Sequence, residues 1–307
     1  MTECDRIIEQ GVLPASFFNE ECICDYIVTK ERKKIWAIGI DLLFQLDRVC
    51  RKHGLHYTLA FGSLLGVVRH NGFIPWDDDI DVFMPRSDYD KLRKLKYEFD
   101  APYFLQFPGD DNDYAFSFAK LRNSNTTGLS WAFRFASFNQ GLFVDIFPLD
   151  NYCDIDIEAN IEKIRTCVAE SSAFMRRSNP CPDENDRIKL QRFPKARPIE
   201  TLIRETDSLL RQFNNMETDY YIAWSILTYQ YKHIIYKKGL IDNWIETNFY
   251  GRSIYIPCNY KEILRITYND YMKLPPLEQR GVWHSNNVFE PDIPYKDYLK
   301  TFRITDK

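Results

Sequence analysis

The 307-residue sequence has no surplus of positive charge, no long apolar run and no internal repeat. It carries 40 Lys and Arg against 44 Asp and Glu, a formal net charge of −4, whereas general nucleic-acid binding needs a basic surplus. No stretch approaches the ~18 apolar residues of a membrane span, and the acidic start MTECDRIIEQ is unlike a secretory signal. We therefore expect no nucleic-acid partner and no transmembrane segment.

Paired cysteine motifs are absent as well. The eight cysteines are scattered without a CxxC pair, which argues against a zinc site. Free thiols are typical of a reducing compartment, so we expect a cytoplasmic protein. Contact with the inner face of a membrane is an alternative, because the segment YQYKHIIYKKG combines aromatic and basic residues.

Apolar periodicity predicts alternating strands and helices early in the chain and mostly helices later. A stripe of apolar residues three or four apart predicts a helix over 29–51, ended by Gly54. Further helices are predicted at about 157–178, 199–214 and 218–236. This order of elements is typical of an α/β or α+β catalytic half followed by a helical half.

The most unusual stretch is FIPWDDDIDVFM (73–84), which puts four carboxylates into five positions. Its alternation predicts a strand over 79–84, in which Asp79 and Asp81 face one way and the intervening apolar residues face the core. Carboxylates this close repel each other unless a cation neutralises them. Mg²⁺ suits the pattern, since it takes oxygen ligands from one or two carboxylates together with substrate phosphates, and Mn²⁺ is the alternative.

The acidic stretch has two alternative interpretations, a calcium-binding loop and a solvated acidic turn. A calcium-binding EF-hand loop that starts at Asp77 would have Val82 at its sixth position, where the sharp turn needs Gly. A solvated acidic turn would explain three consecutive Asp residues, but not an Asp-x-Asp flanked by apolar residues.

A Gly-Ser pair precedes the acidic strand and lies between a predicted strand and a predicted helix. Glycine lets a phosphate approach the backbone, and a helix N-terminus offers free N–H groups. Apolar-Gly62-Ser63 followed by Asp-apolar-Asp-apolar resembles the nucleotidyltransferase superfamily. A third acid there comes from another strand as apolar-Asp-apolar, a pattern that Asp145 offers in GLFVDIFPLD, with an idle exposed carboxylate as the alternative.

A longer resemblance covers about residues 30–150 and 245–290. The segment FGSLLGVVRHNGFIPWDDDIDVFMPRSDYDKL resembles the hallmark segment of the LicD family of phosphocholine transferases. FAKLRNSNTT resembles that family's Lys-containing strand, GLFVDIFPLD its second acidic motif, and YGRSIYIPCNYKEILRITYNDYMKLPP with WHS its C-terminal end. The same architecture is found in fukutin-related transferases, which move ribitol phosphate.

The resemblance implies transfer of a phospho-alcohol, foremost phosphocholine, from a CDP-activated donor to a hydroxyl of a glycan or glycolipid, with release of CMP. Typical bacterial acceptors are lipopolysaccharide, teichoic acid and capsule precursors. It also implies an α+β fold with a nucleotidyltransferase-like mixed sheet flanked by helices. We expect an irregular N-terminal segment (1–28), a catalytic core (29–155) and a mostly helical C-terminal part packed on that core (156–307).

The resemblance also implies roles for single residues. The expected catalytic residues and metal ligands are Asp79, Asp81 and Asp145. The expected residues for binding substrate or phosphate are Gly62, Ser63, Arg69, Lys120 and His284. Asp145 is alternatively the acceptor of the proton from the acceptor hydroxyl. Trp131 and Phe133 either form a cage for a quaternary ammonium or belong to the core.

One motif departs from the family pattern. Tyr268-Asn269-Asp270-Tyr271 has Asn where many members have Gly, and Asn tolerates a left-handed backbone. Two rival functions stay open at this point. One is a nucleotidyltransferase that moves NMP to a small acceptor with the same metal site, and the other is a non-catalytic metal-binding module.

Overall fold

The computed structural model describes residues 1–111, 113–180, 182–195, 197–223, 231–281 and 287–305. Its helices are α1 (Glu3–Glu9), α2 (Lys30–His53), α3 (Phe61–His70), α4 (Arg86–Arg93), α5 (Ile157–Arg176), α6 (Glu184–Arg192), α7 (Ile199–Leu210), α8 (Lys238–Ile241), α9 (Tyr260–Tyr268) and α10 (Tyr295–Thr305). Its strands are β1 (Glu21–Ile23), β2 (Tyr26–Val28), β3 (Thr58–Leu59), β4 (Asp81–Pro85), β5 (Tyr103–Gln106), β6 (Ala119–Asn123), β7 (Thr127–Ser130), β8 (Leu142–Tyr152), β9 (Tyr220–Ile222), β10 (Ile235–Lys237), β11 (Trp244–Phe249), β12 (Arg252–Pro257) and β13 (Asn287–Glu290).

A curled mixed sheet forms the centre of the fold. Its strands run in the order β10-β9-β8-β4-β3, and β6 and β5 continue from β8. The long strand β8 pairs with β6 through its first half and with β9 through its end. Strand β4 runs parallel to β8, whereas the other pairs in this sheet are antiparallel. The predicted α+β class with a mixed sheet and flanking helices is confirmed.

Helix α2 lies against the apolar face of this sheet. Thr29 caps it by accepting a hydrogen bond from the N–H of Arg32 (3.2 Å), and Gly54 ends it with φ of 62°, as predicted. The stripe residues Ile38, Leu42, Leu46 and Val49 are fully buried. Helix α2 contacts β8 and β6, and Gly39 packs against Ile80 just before β4. The apolar alternation of the sheet is therefore directed at α2, which leaves the other face for the polar residues.

A second, smaller core fixes the loop after β5 to the helices that follow β8. Its buried members are Tyr114, Ala115, Phe133, Ala136, Phe138, Met175, Ile199 and Leu202. They come from the segment between β5 and β8 and from helices α5 and α7. Burial of these aromatic and aliphatic side chains holds the two helices against one side of the sheet.

The N-terminal segment 1–28 is not irregular, which corrects the prediction. It forms α1 and the β1–β2 hairpin, and α1 begins with a reciprocal capping pair between Thr2 and Asp5. Arg6 of α1 forms an ion pair with the buried Asp41 of α2 (2.5 Å). Asp41 tolerates burial because this arginine and the Tyr103 hydroxyl both donate to it.

The C-terminal part contains short strands as well as helices in the part of the chain that the structure describes. The helix predicted over 218–236 is wrong there, because β9 and β10 occupy its described ends and pair with each other. Strands β11 and β12 form a hairpin, and β13 returns to pair with β7. Short runs rich in Tyr and Ile favour strands once an open sheet edge is available.

Among the residues that the structure describes, no helix is both long and apolar enough to cross a bilayer. Helix α2 is the longest at 24 residues, and it carries charged side chains along much of its length.

Helix α3 approaches the turn that follows it so closely that only glycine fits at position 66. A Cβ at this position would overlap the carbonyl oxygen of Gly72 and lie 3.0 Å from the N of Ile74. We expect Gly66→Ala to lower the free energy of unfolding by about 1–3 kcal/mol, the usual cost of overpacking, measured by urea denaturation.

Gly239 in α8 supplies the matched control, because a Cβ there meets no atom within 4 Å. Gly239→Ala should be neutral or slightly stabilising, since glycine in a helix costs roughly 0.5–1 kcal/mol relative to alanine. Equal stability of the two variants would show that α3 does not need this close approach.

Candidate active site

Four neighbouring strands place a row of polar side chains on the face of the sheet opposite α2. Asp81 on β4 lies opposite Asp145 on β8, which lies opposite Lys120 on β6, which lies opposite Gln106 on β5. Residues directly opposite each other point to the same side of a sheet. Three residues far apart in the sequence, two acids and a lysine, thus become neighbours through strand register alone.

Asp79 joins Asp81 and Asp145 to form an acidic triad. One carboxylate oxygen of each lies within 4.8 Å of the others. Asp79 precedes β4 rather than lying within it, yet the two side chains project together as the sequence predicted. Burial raises the pKa of Asp81 well above its usual range, and the neighbouring charges of Asp79 and Asp145 raise it further. The triad is an oxygen-rich group in which like charges repel.

Lys120 provides positive charge beside the triad. Its side chain is 7% exposed and forms an ion pair with Asp145, whose side chain is 10% exposed. Burial lowers the pKa of Lys120, and the charge of Asp145 opposes that change. Arg122 lies two residues further along β6 and donates to Gln106 Oε1 (2.6 Å) and to the Gly141 carbonyl oxygen (2.8 Å). Both cations are therefore fixed on the same face as the acids.

The first turn of α3 lies beside the acids. The Ser63 hydroxyl oxygen accepts a hydrogen bond from the backbone N–H of Asp81 (2.8 Å). A Cβ on Gly62 would lie 2.5 Å from Asp77 Oδ2, so this carboxylate can approach only because residue 62 is glycine. Ser63 therefore fixes the start of β4, and Gly62 leaves room at the helix N-terminus.

The acidic turn before β4 is held from the α2 side. The indole N–H of Trp36 donates to the carbonyl oxygen of Asp77 (2.8 Å), and Arg32 forms an ion pair with Asp78 (3.2 Å). Trp76 is 4% exposed and packs edge-on against Tyr26, so it is a packing residue. Asp77, Asp78 and Asp79 also bring carboxylate oxygens within 4.8 Å of one another. Two of these acids are thereby positioned by packing and hydrogen bonds.

A cleft of about 400 Å³ adjoins the triad on the α3 side. We call it the tyrosine cleft, and its lining includes Gly62, Arg69, Asp77, Tyr268 and Tyr271. Arg69 Nη1 donates to the carbonyl oxygen of Tyr271 (2.8 Å), which ties α3 to the loop after α9. Asn269 in that loop has a positive φ of 57°. A positive φ favours Gly, which many family members have here, and Asn was expected to be tolerated in its place.

A second cavity, of about 240 Å³, lies on the Lys120 side of the triad. We call it the aromatic pocket; its rings are Phe116, Phe118, Phe133, Phe138 and Phe143. Lys120, Arg122 and Asp145 contribute to its wall, whereas Asp79 and Asp81 do not. The acidic stretch thus meets two spaces, the tyrosine cleft at Asp77 and the aromatic pocket at Asp145.

The aromatic pocket does not supply the predicted cage for a quaternary ammonium. Lys120 Nζ lies 3.4 Å from the centroid of the Phe143 ring, and Arg176 lies 4.6 Å from that of Phe133. Trp131 is 40% exposed, and the guanidinium of Arg134 lies 4.4 Å from its ring. Protein cations already occupy these ring faces, so a neutral or anionic group fits the pocket better.

The structure brings most of the predicted site residues together. Gly62, Ser63, Lys120 and the acidic triad surround one point, and Arg69 lines the adjoining cleft. Their catalytic and binding roles stay predictions. His284 lies outside the described residues. Arg122 was missed, although its i+2 spacing from Lys120 on a predicted strand was a usable signal.

Comparison with known proteins identifies relatives of this chain. The family model described as "LicD/FKTN/FKRP, nucleotidyltransferase domain" matches residues 54–156, which include Gly62, Asp81 and Asp145. The lipopolysaccharide cholinephosphotransferase LicD of Haemophilus influenzae is 27% identical over 271 residues, which cover 82% of this chain and 95% of that protein. An uncharacterised protein of Rickettsia prowazekii is 39% identical over 59 residues, which cover 19% of this chain and 22% of that protein.

The raised pKa of Asp81 predicts a pH-dependent gain in stability when its charge is removed. A carboxyl whose pKa is raised in the folded state lowers the free energy of unfolding once the pH exceeds its pKa in the unfolded state, here 3.8. This loss of stability reaches its full size above the pKa of the folded state. We expect Asp81→Asn to raise the melting temperature of the metal-free protein at pH 7.5 by roughly 2–4 °C, and the gain to vanish near pH 4.

The control is Asp100→Asn, because Asp100 is exposed and its side chain makes no ion pair with the described residues. It should leave the melting temperature unchanged at both pH values. An Asp81→Asn protein that melts below the wild type at pH 7.5 would contradict the repulsion inferred for the triad.

Proposed function

We propose that the chain is a transferase of the LicD family and that it transfers a phospho-alcohol to a hydroxyl group of a cell-surface glycan. The group moved is phosphocholine, its donor is CDP-choline, and CMP is released. The proposal takes its acceptor class from the Haemophilus relative, whose name states that it acts on lipopolysaccharide. The rest of the reaction is argued from the side chains around the triad.

The acidic triad beside the α3 N-terminus is the observation that carries this proposal. A nucleotidyltransferase-like core needs a Gly-Ser turn into a helix, an Asp pair on the next strand and a third Asp on a neighbouring strand. Gly62 and Ser63 begin α3, Asp81 starts β4, and Asp145 lies opposite Asp81 on β8. This arrangement supports chemistry on a diphosphate, because its parts surround a space where phosphate oxygens and a cation can meet.

The carboxylate oxygens of the triad suit a hard divalent cation as ligands. Asp79, Asp81 and Asp145 offer carboxylate oxygens close together, and the raised pKa of Asp81 marks a site that lacks compensating charge. Asp79 and Asp81 would hold Mg²⁺, or alternatively Mn²⁺, which leaves Asp145 for the acceptor hydroxyl. A bound Mg²⁺ would stabilise the negative charge that develops on the oxygens of the transferred phosphoryl group.

The residues around the triad suggest how the donor is held. The tyrosine cleft combines the cationic Arg69 and Lys273 with two phenol rings and the carboxylate of Asp270. The two cations suit the phosphate groups of the donor. The phenol rings and the carboxylate suit a quaternary ammonium. In this proposal the donor lies in the tyrosine cleft, with its diphosphate at Gly62 and Ser63.

Asp145 is the acid that the acceptor hydroxyl would meet. Of the three described carboxylates of the triad, Asp145 alone lines the aromatic pocket. In the proposed step the acceptor oxygen forms a bond to the distal phosphorus, the bond from that phosphorus to the bridging oxygen breaks, and CMP leaves with the electron pair. Asp145 takes the hydroxyl proton, and Lys120 keeps its carboxylate oriented.

A second candidate is nucleotidyl transfer, which the description of the matched domain favours. The same triad would then act on the α-phosphorus of CTP or ATP, and diphosphate would leave. The released product separates the two reactions, since phospho-alcohol transfer gives CMP.

The test combines binding with product analysis. The melting temperature of the protein is followed with CDP-choline, CDP-ethanolamine, CDP-glycerol, CDP-ribitol, CTP and ATP, each with and without Mg²⁺. Turnover is then measured with CDP-choline and a core oligosaccharide released from lipopolysaccharide. We expect a Mg²⁺-dependent shift with CDP-choline, CMP as product, and a loss of about a hundredfold or more in kcat/KM for Asp79→Asn.

Asp100→Asn again serves as the control and should behave as the wild type. A shift with CTP or ATP alone, together with released diphosphate, would establish nucleotidyl transfer instead. A protein that binds none of these compounds and turns none over is a non-catalytic module, and the proposed reaction is then wrong.

A further inference from the structure

A third cavity adjoins the aromatic pocket at Phe116. It has a volume of about 360 Å³ and lies between α4, the segment before β6, and α7. We call it the arginine cleft, after Arg86, Arg93, Arg204 and Arg211 in its lining. Its volume falls within the range of about 300–1,000 Å³ that is usual for ligand sites.

The arginine cleft and the aromatic pocket share one wall. Phe116 lines both cavities, and its ring packs edge-on against Phe133 of the second core (5.4 Å between centroids). The aromatic pocket in turn reaches Asp145 and Lys120. An elongated ligand that passes Phe116 would therefore extend from the arginine cleft to the acidic triad.

Two of the arginines are fully engaged within the protein. Arg86 forms a two-pronged ion pair with Asp150 (2.7 and 2.6 Å), and Arg211 forms another with Asp90 (2.6 and 2.7 Å). These pairs neutralise much of the positive charge of the cleft. They make the wall rigid rather than strongly anion-binding.

Other polar groups of the cleft are available to a ligand. Arg204 and Glu200 are exposed on α7, and neither forms an ion pair with the residues that the structure describes.

The chemistry of the cleft suits a sugar chain. Phe116 and Ile203 offer flat or apolar surface, while Arg204 donates and Glu200 accepts hydrogen bonds. A sugar ring has an apolar C–H face and hydroxyls that both donate and accept, so it matches this mixture. A polyphosphate does not, because it would meet the carboxylates of Glu200 and Asp207.

We propose that the arginine cleft binds the acceptor glycan and that its terminal sugar passes Phe116 into the aromatic pocket, where its hydroxyl meets Asp145. The assignment to an acceptor rests on the proposed function. In a phosphoryl transfer the attacking and leaving oxygens lie roughly in line, on opposite sides of phosphorus. The tyrosine cleft is lined by Gly62 and Asp77 and the aromatic pocket by Lys120 and Asp145, so donor and acceptor would reach the acids from two separate cavities.

The test uses Arg204→Ala and Glu200→Gln in the full chain, with Arg187→Ala as the control. Arg187 is an exposed arginine of α6 that lies outside the cleft and forms no ion pair with the described residues. The probe is the core oligosaccharide released from lipopolysaccharide. We expect each cleft variant to raise the KM for this acceptor about tenfold, the effect of losing a charged hydrogen bond.

The same variants should leave the KM for CDP-choline and the kcat at saturating acceptor unchanged, and Arg187→Ala should match the wild type throughout. An unchanged acceptor KM in both cleft variants overturns the proposal. A raised donor KM with an unchanged acceptor KM also overturns it, because the cleft would then hold the donor.

Failure of the proposed function leaves this site testable. If the wild type transfers nothing, binding of the same oligosaccharide is measured by titration calorimetry without donor. Binding that Arg204→Ala weakens about tenfold supports the glycan site although the reaction differs. Equal binding by the wild type and Arg204→Ala, or no binding by the wild type, overturns it.

Discussion

Mutual repulsion among three carboxylates is the constraint on which the rest of this structure depends. Asp79, Asp81 and Asp145 are kept within reach of one another by the parallel pairing of β4 and β8 and by the Ser63 hydroxyl at the start of β4. The apolar face of the sheet packs on α2, and that burial keeps the strands in register against the repulsion. Lys120 compensates Asp145, and the raised pKa of Asp81 shows that the compensation is incomplete.

One face of the sheet contributes to stability, and the other carries the residues of the candidate active site. Residues such as Val82 and Val144 are fully buried toward α2, whereas their chain neighbours Asp81 and Asp145 face the other side of the sheet, where Asp145 lines the aromatic pocket. The second core attaches α5 and α7 to the loop that carries Phe116. The residues matched by the LicD/FKTN/FKRP family model, 54–156, carry the acids of the sheet, while the walls of the arginine cleft come partly from α7, beyond the matched residues.

Much of the acidic site could be predicted from the sequence, because period-two alternation fixes which residues of a strand share a face. The pairing of Asp81 with Asp145 and Lys120 needed strand register, which depends on contacts between distant segments. The prediction failed where tertiary context decides local structure. The range 218–236 looked helical, but strands β9 and β10 form there against the end of β8. The N-terminal helix α1 was missed because its capping pair uses Asp5, where the familiar pattern has Glu or Gln.

The register that aligns Asp81, Asp145 and Lys120 also has a consequence for how the chain reaches its native state. These residues lie in separate parts of the sequence, and β4 and β8 are joined by a long connection that contains β5, β6 and β7. Parallel pairing over such a connection has a high loop-closure cost and forms slowly. The antiparallel partner β6 is nearer to β8 in the chain, so Lys120 can meet Asp145 before Asp81 arrives. The lysine would then serve as a temporary counter-charge that lowers the kinetic barrier to closing the acidic strand against its neighbour.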